Sequence, residues 1–320
     1  MPRRTVELSV IIVSWNTKKL VLDCLESLQS NPARCSTEII LVDNASSDDT
    51  AESVRKLYPS VKVIQNRENL GFAKANNIGM EISSGEYVAL INSDVVVPLG
   101  CLEKMIEYMK QHPDTGMLGP KMILRDGTIG QSCYRFPTVW SWFCNALALD
   151  SLFKGARAFG DFEMASFPYD SIEDVDVLTG WFWMVRRKAL DRVGDLDDRF
   201  FMYGEDIDWA KRFHEDGWRV TFYPVAHAIH YCRASSDRAP TRFYIEKNRA
   251  NLQYFRKHHG LPGVMGSWLA VWLHQIVRIL GYGGVYLFRQ ADRAMADYKV
   301  RRSAACLLWL MGLRKANEVR

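Results

Sequence analysis

Short, β-branched apolar runs alternate with helically spaced segments through the first hundred residues, and this rhythm restricts the fold more than any other feature. Residues 8–13 are apolar except for Ser9, and the run is short enough to be a strand buried on both faces. Leu20, Val21, Cys24, Leu25 and Leu28 then recur at helical spacing. Residues 39–42 and 61–64 read as further strands, 73–82 as a helix and 87–91 as a fourth strand. Parallel neighbours need long crossovers. The order β-α-β-α-β-α-β therefore predicts an α/β fold, a mostly parallel sheet flanked by helices.

In open sheets of this kind ligands sit outside the carboxyl ends of the strands. The first strand ends in Ser14-Trp15-Asn16, the second in Asp43-Asn44 and the fourth in Asn92-Ser93-Asp94, all polar and predicted to converge on one edge. The turn cluster 43–49 is rich in helix-capping residues. No G-x-G-x-x-G follows the first strand and no G-x-x-x-x-G-K-[ST] occurs, which removes the main support for dinucleotide and P-loop readings. From about Gln131 to Asp176 the periodicity fades and aromatics gather, Trp140, Trp142 and Phe143 among them. That predicts a long irregular segment of functional character. Patterning resumes over 175–186. Ile207, Ala210 and Phe213 mark a helix ended by Gly217, and Trp218, Val220 and Phe222 alternate as a strand that stops at Pro224.

With 48% hydrophobic and 24% charged residues over 320 positions, the chain is neither disordered nor fibrous. Its 7 cysteines (24, 35, 101, 133, 144, 232 and 306) form no C-x-x-C and no Cys/His cluster. This argues against a disulfide scaffold or structural zinc and suits a reducing cytoplasm. Met1-Pro2-Arg3-Arg4 leads into strand-like sequence with no signal-peptide apolar core, so no leader is expected.

Charge is unevenly spread. The chain carries +4 overall, yet residues 241–320 hold 14 Lys/Arg against 4 Asp/Glu, a net of +10 that leaves −6 on the first 240. An acidic body with a basic tail is not the broad basic stripe of a nucleic-acid binder. The tail is also apolar: residues 260–277 bear no formal charge, and only Arg278 interrupts the run to Phe288. Eighteen residues is about the lower limit for a bilayer span. Pro262, Ser267, His274 and Gln275 dilute the run, Trp268 and Trp272 favour an interface, and Arg289, Arg293, Lys299, Arg301 and Arg302 follow. The segment reads as an anchor lying on an anionic membrane surface, with a span or a helical cap on the body as alternatives.

Three groups of residues can carry chemistry. A carboxylate leaving a buried strand can hold Mg²⁺ or Mn²⁺ together with substrate phosphates, as Asp94 would; it can equally cap the helix that begins near Pro98. Glu205, Asp206 and Asp208 crowd a helix N-terminus, where negative charge is favoured on electrostatic grounds alone. An Asp there is also ionised at neutral pH and able to accept a proton. Asp206 and Asp208 are two positions apart and point different ways, so only one faces a common site. His227 and His230 follow the last strand, where a lone histidine is more often a core or surface residue, but a site with a carboxylate and a diphosphate raises the odds that one of them is a ligand.

Five ordered segments carry a resemblance. Residues 9–16 (SVIIVSWN), 38–48 (EIILVDNASSD), 69–77 (NLGFAKANN), 90–94 (LINSD) and 200–208 (FFMYGEDID), with His230 trailing, resemble the motifs of family 2 glycosyltransferases. These are inverting enzymes of the GT-A fold, and the likeness is to their bacterial rhamnosyltransferase-like branch. It spans residues 7–260 and implies a GT-A catalytic domain over 1–240, with 241–320 as a helical, basic and apolar C-terminal extension. By this resemblance Asp43 reads the pyrimidine of a nucleotide sugar beside Val13, Ser14 and Asn16. Gly71, Phe72 and Lys74 lie along the nucleotide, with Asn92 close by. Asp94 and His230 bind the Mg²⁺ or Mn²⁺ that bridges the diphosphate, and Asp206 is the base.

The implied reaction is a single displacement with inversion. The implied donor is dTDP-rhamnose, with a UDP-hexose as the alternative. The acceptor is a lipid-linked saccharide at the cytoplasmic face of the cell membrane, in the synthesis of a surface polysaccharide. Two positions depart from the family pattern: Ser93 stands where a proline is usual, and residues 180–184 (GWFWM) are bulkier than usual. Two other classes stay open: a nucleotide-sugar or polysaccharide binding protein without catalysis, and a nucleotidyltransferase. Against the second, Ser14-Trp15-Asn16-Thr17 is not a glycine/arginine-rich triphosphate loop.

Overall fold

The computed structural model describes residues 6–153, 156–159, 161–231 and 240–313; the residues 1–4 read above, Cys232 and the basic Arg314, Lys315 and Arg320 lie outside them. In chain order the first elements are β1 (Leu8–Ser14), α1 (Lys18–Ser30), β2 (Thr37–Asp43), α2 (Thr50–Leu57), β3 (Lys62–Gln65), α3 (Phe72–Glu81) and β4 (Tyr87–Asn92). Then come β5 (Val95–Val96), α4 (Cys101–Gln111), β6 (Thr115–Leu124), β7 (Cys133–Tyr134), α5 (Val139–Ala146) and α6 (Leu149–Leu152). The remainder are β8 (Glu173–Asp174), β9 (Val177–Leu178), β10 (Phe182–Arg186), α7 (Arg187–Val193), α8 (Glu205–Glu215), β11 (Arg219–His230), α9 (Pro240–Phe288) and α10 (Arg293–Leu310). The chain divides into two units: Met1–Tyr134 with Pro168–Ser235, and Arg135–Phe167 with Ser236–Arg320.

The first unit is built on a nine-stranded sheet ordered β3-β2-β1-β4-β10-β6-β11-β5, with β8 beside β11. The pairings of β1 with β2 and β4, of β2 with β3 and of β6 with β11 are parallel; β10 runs antiparallel between β4 and β6. As expected from its composition, β1 is buried on both faces. Leu8, Val10 and Ile12 join a core with Val21, Cys24 and Leu25 of α1 and Met105 and Met109 of α4. Ile11 points the other way, against α3, where Gly79 leaves only 2.5 Å between a hypothetical Cβ and the Ile11 side chain. Each such buried aliphatic side chain contributes roughly 1.5–3 kcal/mol. The parallel half of the sheet thus follows from its apolar runs.

Two expectations are corrected. The last strand does not stop at Pro224 but runs to His230. Its register with β6 slips between Tyr223 and His227, so Pro224, Val225 and Ala226 bulge out and the missing proline N–H breaks no ladder bond. His227 and His230 therefore lie within the strand, His227 exposed and His230 buried. The stretch 131–176 is also less irregular than expected, because α5 lies inside it. A capping box starts this helix: Ser141 N–H donates to Thr138 Oγ1 and Thr138 N–H to Ser141 Oγ, both at 3.0 Å. Its residues are nearly all apolar, which erases the periodicity that would reveal a helix.

In the second unit, α9 breaks at Gly260 (φ 62°, ψ −158°), and Pro262 enters the first turn of the continuing helix, where its missing N–H costs nothing. Trp142 of α5 meets Phe255 edge to face at 6.4 Å, and Val139 packs against Gly266. Ile245 of α9 closes a small core with Ala305 and Cys306 of α10. By length and composition alone α9 suffices to cross a membrane.

Candidate functional site

Parallel register brings the polar strand ends side by side. Val13 is level with Val42 and Asn92, and Ser14 with Asp43. Asp43 is fully buried. Its Oδ2 accepts the Ser46 N–H at 3.2 Å, while its Oδ1 is buried with no hydrogen-bond partner. A buried carboxylate oxygen without a donor costs on the order of 1–3 kcal/mol, and such a group in a native fold calls for an absent partner. Asn16, in the left-handed region at φ 55°, stitches the β1 and β2 loops together: its N–H donates to Ser46 Oγ (2.8 Å) and its Oδ1 accepts the Ser47 N–H (2.7 Å).

Asn44 organises the next segment. Its side-chain amide donates to Asn69 Oδ1 (2.9 Å) and the Gly71 carbonyl (3.1 Å), and accepts from Asn66 Nδ2 (3.0 Å) and the Leu70 N–H (3.1 Å). Gly71 sits at φ 85°, and a Cβ there would come within 2.3 Å of the Phe201 carbonyl oxygen. That same oxygen accepts the Phe72 N–H at 2.8 Å, which joins the 69–72 turn to the loop before α8. Lys74 is exposed on the first turn of α3 and makes no hydrogen bond among the described residues.

After β4 the chain turns and pairs β5 with the end of β11, His230 opposite Val95. This pairing sets His230 Nε2 3.0 Å from Asp94 Oδ1, both residues buried, and the Asp94 carbonyl accepts the Tyr231 N–H at 3.0 Å. Trp181 stacks on the His230 ring at 5.4 Å and fixes its plane. Among the described residues no group of three or more His, Cys, Asp or Glu gathers for a metal; this is a pair. A carboxylate and an imidazole still suit a divalent ion that takes its other ligands from water and phosphate. Two adjacent ligands on an octahedral ion at ~2.1 Å are about 3 Å apart, which the pair matches. At the departure from the family pattern, Ser93 Oγ accepts a hydrogen bond from Thr17 Oγ1 (3.0 Å), which in turn meets Ser14 Oγ (3.2 Å). A proline could not make that link.

The acidic cluster separates by environment. Tyr203 (φ 70°) and Gly204 (φ 81°) turn the chain into α8. Asp208 is fully buried and takes the Arg212 Nε–H at 3.0 Å, while Arg212 also caps the Val193 and Asp195 carbonyls. Asp206 is only half-buried, its Oδ1 accepting the Ile207 N–H at 2.9 Å. Between them in role lies Glu205, buried, with Oε2 unpartnered; burial first and the Asp206 charge second push its carboxyl well above the usual range. The structure thus gathers Val13, Ser14, Asn16, Asp43, Asn92, Asp94 and His230 at the strand ends. Gly71 joins them through Asn44, and the loop before Asp206 through Phe201.

Sequence reasoning missed the Asn44 network, the hydroxyl chain and the Trp181 stack. A signal for the first exists in the recurrence of Asn at 44, 66 and 69, each in a turn after a strand. The bulk of residues 180–184 proves to be core: Trp183 is fully buried between Phe72 and Trp209, its indole N–H on the Leu178 carbonyl at 3.0 Å.

Comparison with known proteins agrees with this arrangement. The N-acetylglucosaminyl-diphospho-decaprenol L-rhamnosyltransferase of Mycobacterium tuberculosis is 26% identical over 243 residues, 69% of this chain and 75% of its own. The mannosyltransferase PcManGT from Pyrobaculum calidifontis, solved in complex with GDP-Man and Mn²⁺, matches with TM-score 0.55 at 16% identity over 96% of this chain and 88% of its own. GalNAc-T7, solved with UDP, GalNAc and Mn²⁺, matches with TM-score 0.55 at 16% identity over 78% of this chain; the match spans about half, 48%, of GalNAc-T7. At such identities the likeness establishes the architecture, which is GT-A. The sequence itself fits the family model for glycosyl transferase family 2 over residues 9–194, a stretch that holds the ends of β1, β2 and β4 with Asp43 and Asp94 but not His230 of β11. The chain belongs to glycosyl transferase family 2.

Proposed function

We propose that this glycosyltransferase moves L-rhamnose from dTDP-rhamnose to a hydroxyl of a lipid-linked saccharide, with inversion, at a membrane surface on the cytoplasmic side. The observation that carries the donor half is the buried, unpartnered Oδ1 of Asp43 at the end of β2. A lone acceptor fits an imide N–H, which thymine and uracil both present. A UDP-hexose donor is accordingly the second reading. Rhamnose is favoured by the mycobacterial relative, whose name also specifies a lipid diphosphate acceptor. The surface location rests on the basic, apolar tail.

In this mechanism Val13, Ser14, Asn16, Asn92 and Gly71 line the nucleotide, with Lys74 able to reach toward phosphate from the first turn of α3. Asp94 and His230 would hold Mg²⁺ or Mn²⁺, which when bound supplies Lewis-acid neutralisation of the departing diphosphate. Asp206, half-buried where its first-turn neighbours Glu205 and Asp208 are buried, takes the proton of the attacking hydroxyl. With the base on one side of the anomeric carbon and the leaving group on the other, one displacement inverts it.

Thermal stabilisation by dTDP, UDP, dTDP-rhamnose and UDP-glucose, each with Mn²⁺, Mg²⁺ or EDTA, tests the assignment. A ligand at 100 times its Kd adds about 2.7 kcal/mol. A metal-dependent shift largest for dTDP-rhamnose is expected. A larger shift for the UDP sugar would reassign the donor, and no shift with any of the four would overturn the reading.

A further inference from the structure

The second unit holds a polar cluster that no part of the sugar-transfer site uses. Gln275 of α9 and Ser303 of α10 are fully buried, yet Gln275 Nε2 and Ser303 Oγ have no hydrogen-bond partner. The Nε of Arg278 and of Arg302 is buried and unpartnered as well. The Gln275 carbonyl oxygen is already taken by Tyr244 Oη at 3.0 Å, so what the amide has left to offer is donors. The Arg302 guanidinium lies over the Tyr244 ring, 4.1 Å from its centroid. Arg278 reaches His274 Nε2 at 3.3 Å and Tyr282 Oη at 3.4 Å.

Neither arginine pairs with a carboxylate among the described residues, although Arg301 and Arg249 close by do. Burial first, and the Arg278 charge second, hold His274 down to about 4, with Arg302 adding to the effect. Asp150 opposes them but is itself engaged by Asn145 Nδ2 at 2.8 Å. The balance is two fixed positive charges and three unpartnered N–H groups, beside a Ser303 hydroxyl that can donate or accept. Folds rarely tolerate such a set unless a partner completes it. An anion would supply both the missing acceptors and the opposing charge, and planar guanidiniums beside hydroxyl and amide donors match phosphate oxygens.

The surroundings say which kind of phosphate. Leu280, Leu287 and Phe288 follow on α9 as exposed large apolar side chains, and Met295 does so at the start of α10. We infer that Gln275, Arg278, Arg302 and Ser303 form an anion site for the diphosphate of an isoprenoid carrier, the lipid end of the acceptor. The inference rests on the lipid-linked acceptor proposed above and adds where its phosphates are held. The arginines supply charge and paired donors, Gln275 and Ser303 fix the orientation, and the hydrocarbon runs along the exposed apolar residues.

Full-length protein is tested for binding to phosphatidylcholine vesicles carrying a few per cent of undecaprenyl diphosphate. Controls are plain phosphatidylcholine, the same charge supplied as phosphatidylglycerol, and soluble inorganic pyrophosphate. The diphosphate vesicles should bind at least tenfold more tightly than either vesicle control. Arg278→Gln and Arg302→Gln should each abolish that preference, while Arg302→Lys keeps most of it. Equal binding to the phosphatidylglycerol vesicles would reduce the cluster to general surface attraction and overturn the site. Pyrophosphate binding that lipid does not improve would overturn the carrier assignment. Nucleotide-dependent thermal shifts, unchanged in both variants, check folding; if Arg302→Gln fails that check, Arg278→Gln carries the test alone. A transfer assay separates this proposal from the parent reading. KM for a diphospholipid acceptor should rise tenfold or more in Arg278→Gln with kcat within twofold. A soluble glycoside acceptor should be used equally by both proteins. Vesicle binding is read without turnover, so absence of transfer overturns only the parent reading.

Discussion

Asp206 and Asp208 share one turn of α8 but not one environment, and the difference converts into separable outcomes. Asp208 is buried against Arg212, and its loss strands a cation that also ties down the loop through Val193 and Asp195. Breaking a buried pair of this kind costs about 3 kcal/mol. Asp208→Asn should therefore lower the melting temperature yet leave the kcat of the folded protein within a few-fold. Asp206→Asn should do the reverse, lowering kcat by roughly 10²–10⁴ with donor affinity and stability nearly unchanged. If Asp206→Asn instead lost donor binding, the carboxylate would be structural.

Glu205 adds a pH signature. Its carboxyl is raised in the folded state, chiefly by burial, so the native protein keeps a proton that the unfolded chain releases near ~4.3. Above that value the unfolded state binds fewer protons, and stability falls as pH rises until the native group also ionises. Glu205→Gln removes this slope. Denaturant midpoints followed from about pH 5 to 8 should show the wild type losing stability relative to the variant; parallel curves would mean that Glu205 is not held protonated. At this scale His230 is expected past the last strand and lies within it, whereas the positions of Asp43, Asp94 and Asp206 are legible in the sequence, because strand ends and helix starts are periodic features. Their partners are not. The bonds of Asn44 to Asn66 and Asn69 join turns that only the folded sheet brings together.

Between elements, Gly71 is the joint most exposed to test. Its φ of 85° already disfavours a side chain, and an added methyl would press on the Phe201 carbonyl that receives the Phe72 N–H. Gly71→Ala should push the loop before α8 away from the α3 N-terminus. We expect kcat/KM to fall at least tenfold with a modest loss of stability, read by steady-state kinetics beside a melting curve. Unaltered kinetics would show that the joint does not position the acidic loop. The elements themselves were uneven to read. Strands β1, β2 and β4 declare themselves through apolar runs that the sheet buries, while β3 at the sheet edge is only partly buried and shows just Val63 and Ile64. The end of β11 is hidden by Pro224, whose bulge preserves the strand that a proline ordinarily ends. Helix α5 is hidden because its sequence, nearly all apolar, has no polar face to supply a period.

For the whole molecule, the question is whether the basic tail attaches the enzyme to a surface. Deleting it would be a poor test, since α5 packs Val139 and Trp142 against α9 and would be left with an uncovered apolar face. Substitutions on the exposed residues at the end of α9 avoid that fault. Leu287 and Phe288 are 66% and 88% exposed, so polar replacements there remove membrane affinity without opening a core. Each contributes up to about 1.5–3 kcal/mol when it enters an apolar phase. Arg289 is exposed beside them, and Arg289→Glu shifts the local charge by two units. Near an anionic leaflet that is worth about 2 kcal/mol, or roughly 30-fold in partition. Co-sedimentation with phosphatidylcholine vesicles containing phosphatidylglycerol should show both losses. Only the Arg289→Glu loss should vanish at high salt, because screening removes the electrostatic share and leaves the apolar one. If neither substitution changed co-sedimentation, the tail would be a cap or a span rather than a surface anchor. A loss on substituting Leu287 and Phe288 without a salt-sensitive loss for Arg289→Glu would mean apolar insertion indifferent to lipid charge.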